Sequence, residues 1–153
     1  MSARTPYAKA APRAAKAMYD LQGYVNGCGL EPGLLHLVKM RASQLNGCAY
    51  CLDMHGQDAR AAGETEQRLY LLDAWREAPF YTDRERAALA WAEALTRLSE
   101  SGASDEIYDE AVRQLGERTL VELSLAVVAI NGWNRLSAGF RRPAGTYRPF
   151  GAE

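Results

Sequence analysis

Apolar residues recur along this chain at spacings of three and four, and sustained alternation is absent, so the pattern predicts helices and no sheet. Pro12 opens a helix through Ala14, Met18 and Leu21 that ends at Gly23 or Gly27. Pro32 suits the first turn of a second, with Leu34, Leu35, Leu37, Val38 and Leu45 as its buried positions. Asn46-Gly47 breaks the pattern. The next helix is expected to take Asn46 as its N-cap, to hold Cys48 in its first turn and to stop at Gly63. Glu66 to Trp75 reads as another, with Leu69, Leu72 and Trp75 as its stripe and Pro79 beyond its end. Thr82-Asp83-Arg84-Glu85 and Thr119-Leu120-Val121-Glu122 both match the capping box. The first would open a helix carrying Leu89, Ala92, Leu95 and Leu98, the second one carrying Leu123, Val127 and Ile130. Between them Ser104 can cap a shorter helix through Ile107, Val112 and Leu115 that ends at Gly116. The fold class expected is an all-α bundle of about six to seven helices. Residues 1–30 would form an N-terminal segment with the first helix, 31–140 the core domain, and 141–153 an irregular Pro- and Gly-containing tail that wraps a surface or a neighbouring subunit.

Composition narrows the function classes. The chain has 153 residues, enough for one domain with a real core, and is 48% hydrophobic and 24% charged, as ordinary soluble domains are. A net charge of -1 gives no electrostatic footprint for nucleic acid. No apolar run is long enough to span a membrane, and no secretory signal opens the chain. Met1 to Tyr19 is rich in Ala, Arg and Lys and free of acids, as transit peptides are. It runs without a boundary into the first helical pattern, so it is read as a basic opening segment. Three cysteines form no disulfide framework, which fits a reducing cytoplasm.

The candidate chemistry lies in Cys48-Ala49-Tyr50-Cys51 with His55. At roughly 100° per residue these three side chains fall within about 60° of one helix face, while Tyr50 and Asp53 point elsewhere. A thiolate near a helix N-terminus is stabilised by free N–H groups and the helix dipole. His55, one turn on, could accept the Cys51 proton. A thiolate so placed attacks a peroxide to give a sulfenic acid, which a neighbouring thiol condenses into a disulfide. Three other readings stand beside this one. The thiols could be buried structural cysteines, Cys48, Cys51, His55 and His36 could form a Cys₂His₂ metal set, or the protein could be a catalytically silent helical oligomer or redox sensor.

The string from Leu37 to His55, LVKMRASQLNGCAYCLDMH, resembles the core motif of the carboxymuconolactone decarboxylase superfamily, in its alkylhydroperoxidase AhpD-like branch. The likeness continues through Asp58-Ala59-Arg60, Gly63-Glu64, Arg84 to Ala90 and Asn131-Gly132-Trp133-Asn134-Arg135. The resemblance implies an AhpD-like helical bundle assembling as homo-trimers or homo-hexamers. It also implies a peroxidase that uses no haem, metal or other cofactor, acting on a hydroperoxide with a thiol or lipoyl-type reductant. By the family's pattern Cys51 is peroxidatic, Cys48 resolving, and His55 part of a proton relay. The pair argues against lactone decarboxylation, because the true decarboxylases of the superfamily lack it. Two positions depart from the pattern: His36 replaces a relay glutamate, and Tyr50 replaces the histidine before the second cysteine. His36 is read as either a relay member or a hydrogen-bonded core residue, and Tyr50 as packing or a pocket wall. Cys28 falls outside the motif. Trp75, Trp91 and Trp133 read as core or subunit contacts, and the apolar, small-residue stretch from Ser124 to Ile130 suggests association.

Overall fold

A computed structural model describes residues 2–100 and 102–149; Met1 and the tail's last four positions, 150–153, lie outside the described residues. The described chain forms eight α-helices. In order they are α1 (Tyr7–Ala10), α2 (Pro12–Gly27), α3 (Pro32–Leu45), α4 (Ala49–Ala61), α5 (Glu66–Tyr70), α6 (Asp83–Thr96), α7 (Asp105–Leu115) and α8 (Glu117–Gly139). Six of these have seven residues or more, a 3-10 turn (Leu72–Ala74) follows α5, and the described residues include no strand.

The bundle is built around α3, which packs against α4, α6 and α8. Its residues are buried without a break from Leu37 to Ser43, so this helix has no solvent face. That placement carries two cations inside, Lys39 and Arg41. Burying a charge is costly unless partners replace its water. Arg41 has them: its Nε donates to Glu93 Oε1 at 2.6 Å, and it also pairs with Asp73. Glu93 is held further by Trp75 Nε1 at 2.8 Å and Arg76 at 2.6 Å. Lys39 has no such partner among the described residues.

One apolar cluster joins α2, α3, α6, α7 and α8 through Val25, Val38, Ala88, Ala111 and Leu123. A second joins α3, α4, α6 and the 3-10 turn through Leu37, Ala59, Leu72 and Leu89. Each fully buried leucine here contributes roughly 1.5–3 kcal/mol. Ala126, Val127, Ala129 and Ile130 of α8 are spent inside the subunit, leaving Val121 and Val128 outward.

The Thr82 box forms as expected: Glu85 N–H donates to Thr82 Oγ1 at 3.2 Å, and Thr82 N–H donates to Glu85 Oε2 at 2.8 Å. Ser104 caps α7, and Gly116 ends it at φ +79, a conformation a side chain would strain. Other expectations are corrected. The Thr119 box does not cap, because α8 starts two residues earlier at Glu117, directly after the Gly116 break. The Glu66–Trp75 helix is split at Leu71 into α5 and the 3-10 turn, which lets Leu69, Leu72 and Trp75 all turn inward. Leu98 lies past the end of α6 and is exposed, and in α2 Ala15 and Val25 are buried rather than Ala14. The short α1 was not expected. It sits against the end of α8 through the Tyr7–Phe140 ring contact and Arg4 N–H to Phe140 O.

The tail returns over its own subunit. Gly145 N–H donates to Asp53 Oδ2 at 2.7 Å, Tyr147 O–H donates to Asp58 Oδ1 at 2.6 Å, and the Arg142 guanidinium lies 3.9 Å over the Tyr50 ring. Both carboxylates belong to α4, so the tail is fastened to the helix that carries the cysteines.

Candidate functional site

The α3–α4 turn positions the thiols. Gly47 takes φ +61, and Cys48 N–H donates to Ser43 O at 3.0 Å, which fixes where α4 begins. The N-cap of α4 is Cys48 itself, in extended conformation, and not Asn46. Asn46 instead closes α3 and ties it to α8. Its Nδ2 donates to Ala42 O (2.9 Å), Asn134 Oδ1 (2.8 Å) and Asn131 Oδ1 (3.0 Å). Asn134 Nδ2 in turn donates to Ser43 Oγ at 3.1 Å. These amides lock the floor under the cysteine turn.

Cys48 and Cys51 are free thiols, 2% and 1% exposed, and their sulfurs are 2.6 Å apart in one hydrogen bond. They pack with Ala42, Tyr50 and Ile130. Two thiols in contact share one negative charge readily and two only with difficulty. Cys48 is pulled down to about 6, first by its contact with the Cys51 thiol, then by the Cys51 backbone N–H and by Asn134 and Ser137. Cys51 is pushed up by its contact with the Cys48 sulfur and by burial. The lowered thiol at the start of α4 is thus Cys48, the N-cap, and its neighbour thiol is the leading cause.

The two sulfurs open onto different cavities. Cys51 lines a cavity of about 500 Å³ together with His36, Lys39, His55, Asp58 and Tyr147. Cys48 lines a second cavity of about 400 Å³, with Gly47, Ala49 and Arg141. Tyr50, Ser137 and Arg142 reach both. Three of the four sequence-predicted site residues thus meet in one cavity, with Cys48 immediately behind Cys51.

His55 shares the helix face with Cys51 but makes no hydrogen bond to it; its Nδ1 is buried without a partner, 3.9 Å from Asp58 Oδ2. Burial first, then the charge of Lys39, lowers His55 to about 3, so the ring is neutral near pH 7. A neutral imidazole can donate one proton and accept another but is a poor store of charge. His36 is lowered for the same two reasons, and its Nδ1 is also unpartnered. No three His, Cys, Asp or Glu side chains among the described residues gather as a metal site, so the Cys₂His₂ set is not assembled.

Sequence reasoning missed Lys39, Asp58, Asn134, Ser137 and Tyr147. A buried position for Asn134 was legible, four residues beyond core Ile130 on α8. The tail residue Tyr147 carried no such signal.

Comparison with known proteins agrees with this architecture. The Carboxymuconolactone decarboxylase family model matches residues 12–94. The uncharacterized protein YdfG of Bacillus subtilis is 42% identical over 137 residues, covering 90% of this chain and 93% of its own. A crystal structure of a protein of unknown function from Agrobacterium tumefaciens, provisionally named antioxidant defence protein AhpD, has a TM-score of 0.92 at 42% identity. That likeness covers 95% of this chain and 100% of the Agrobacterium one. The debrominase Bmp8 shares the fold alone, at 24% identity and a TM-score of 0.79 over 88% of this chain and 73% of its own. One fold thus carries more than one chemistry, and the cysteine site must decide the activity. By family model, sequence and fold together, the chain belongs to the carboxymuconolactone decarboxylase family and has the AhpD-like fold.

Proposed function

We propose that the protein is a thiol-dependent hydroperoxidase in which Cys51 is the attacking and Cys48 the resolving cysteine. The carrying observation is the contact of two free thiols at 2.6 Å, one of which opens onto a cavity with two neutral histidines. Cys48 holds the charge at rest. As Cys51 attacks the terminal peroxide oxygen, its proton passes to Cys48 across the shared hydrogen bond. The O–O bond breaks, Cys51 becomes a sulfenic acid, and the alkoxide takes a proton from the His55 or His36 relay, which water refills. Cys48 then attacks the Cys51 sulfur. Its proton leaves with the sulfenic hydroxyl as water, and a disulfide forms. An external thiol or lipoyl-type dithiol returns both thiols to the reduced state by exchange and is itself oxidised.

The contact of the two sulfurs supports this reading, since a nearby resolving thiol protects a sulfenic acid from over-oxidation. On this reading the working unit is a homo-trimer or homo-hexamer acting in the cytoplasm. No helix among the described residues is long and apolar enough to cross a membrane. The test is consumption of cumene hydroperoxide with dihydrolipoamide as reductant. Turnover that disappears in Cys51→Ser supports the assignment, and turnover that survives it overturns the assignment.

A further inference from the structure

Among the described residues, Lys39 is a buried cation whose amine has no hydrogen-bond or ion-pair partner. It is 9% exposed on α3, where every neighbouring turn is also covered. It lines the same cavity as Cys51. Arg41, two residues on, shows what this bundle does with a buried cation it uses structurally: it surrounds it with carboxylates. Lys39 has no such contact; the charge of Asp58 acts on it without a hydrogen bond or ion-pair contact, so the ammonium keeps its donors for what enters.

The rest of the lining agrees. The cavity's own lining carries two cations, Lys39 and Arg142, against one carboxylate, Asp58, which already accepts the Tyr147 hydroxyl at 2.6 Å; Cys48, which holds the resting charge, lies behind Cys51 and lines the other cavity. Beside Lys39 stand two imidazoles, each with a buried unpartnered Nδ1. The remaining walls include Tyr19, Met54 and Trp133, which offer apolar surface. Two cations against one carboxylate, unfilled polar atoms and apolar walls describe a cavity for an amphipathic anion.

We infer that Lys39 is the anion-recognition residue of this cavity and that the substrate is an organic hydroperoxide bearing a carboxylate. The substrate class rests on the hydroperoxidase reading, whereas the anion site does not. The carboxylate would occupy Lys39 while the hydroperoxide end reaches Cys51, with the electron and proton flow described above unchanged.

Two thiol probes of nearly equal size separate charge from access: iodoacetate, an anion, and iodoacetamide, which is neutral. In a Cys28→Ser, Cys48→Ser background only Cys51 reacts, and the ratio of the two rates cancels any change in thiol pKa. Lys39→Met should lower the iodoacetate-to-iodoacetamide ratio about tenfold, the effect of one short-range charge, while Lys39→Arg should hold it near the parent value. Equal ratios in the parent and Lys39→Met overturn the inference. The substrate class is read separately with a fatty-acid hydroperoxide and its methyl ester. Lys39→Met should raise KM for the acid about tenfold and leave that for the ester unmoved. A ratio that shifts without turnover of either peroxide keeps the anion site and rejects the hydroperoxidase reading. Turnover with no discrimination between acid and ester rejects the substrate class alone.

Discussion

The Cys48 and Cys51 sulfurs touch at 2.6 Å, yet each faces its own cavity, Cys51 the one with the histidines and Lys39, Cys48 the one beside Gly47 and Arg141. A single hydrogen bond therefore joins the two sides of the site. It lets Cys48 carry the resting charge while Cys51 carries the exposure to substrate.

The first consequence concerns Cys48. With a pKa of about 6 it is largely thiolate at neutral pH, and the Cys51 thiol is the leading cause. Iodoacetamide alkylation of Cys48, followed against pH in a Cys28→Ser background, should rise with a midpoint near 6. Cys51→Ala removes that thiol and should move the midpoint toward the roughly 8.5 of a free cysteine. Midpoints that coincide in the two proteins would show that the contact does not set the charge.

The second concerns acid stability. The His55 pKa is about 3 in the fold, against 6.5 for an ordinary histidine. Below about pH 6.5 the unfolded chain thus binds a proton that the native protein refuses. Stability is complete above that pH and falls as pH drops toward about 3, by an amount on the order of 4 kcal/mol from this group. His36, lowered in the same direction, adds to the same slope. Urea midpoints measured from pH 7 to pH 4 should fall steeply for the native protein and less steeply for His55→Leu. Parallel curves would remove His55 as a source of acid lability.

A third concerns the amide floor. Asn134 is 1% exposed and bridges Asn46 and Ser43 beneath the cysteine turn. Asn134→Leu leaves those partners without theirs and should cost about 1–3 kcal/mol. It should also raise the Cys48 midpoint, because Asn134 is one of the groups that lower it. Thermal unfolding and the alkylation profile read the two effects separately. Loss of stability with an unmoved midpoint would leave Asn134 a purely structural bridge.

What could be read from the sequence was local. Pro12, Pro32, Ser104 and the Thr82–Glu85 box mark helix starts because a cap acts within one turn of its own residue. The Thr119–Glu122 match failed for the same reason in reverse. Gly116 had already broken the chain, and a motif two residues inside a helix has no free N–H to cap. The cysteines and histidines were legible as a set, since one helix face carries three of them. Lys39 was not. A lysine among leucines on α3 looks like a solvated position until α4, α6 and α8 close around it. Asp58 and Tyr147 meet only because the tail folds back across α4, a contact between residues 89 positions apart.

The measurement that decides the main proposal is a disulfide map after peroxide treatment. The reduced protein, metal-free and without reductant, is mixed with one equivalent of an organic hydroperoxide and digested. The prediction is the loss of two thiols per chain and a Cys48–Cys51 disulfide, with Cys28 still alkylatable. Cys48→Ser should instead yield a sulfenic acid trapped at Cys51 by dimedone. Both thiols remaining free after the peroxide has been left unconsumed, or a sulfenic acid trapped at Cys48 in Cys51→Ser at the native rate, would contradict it.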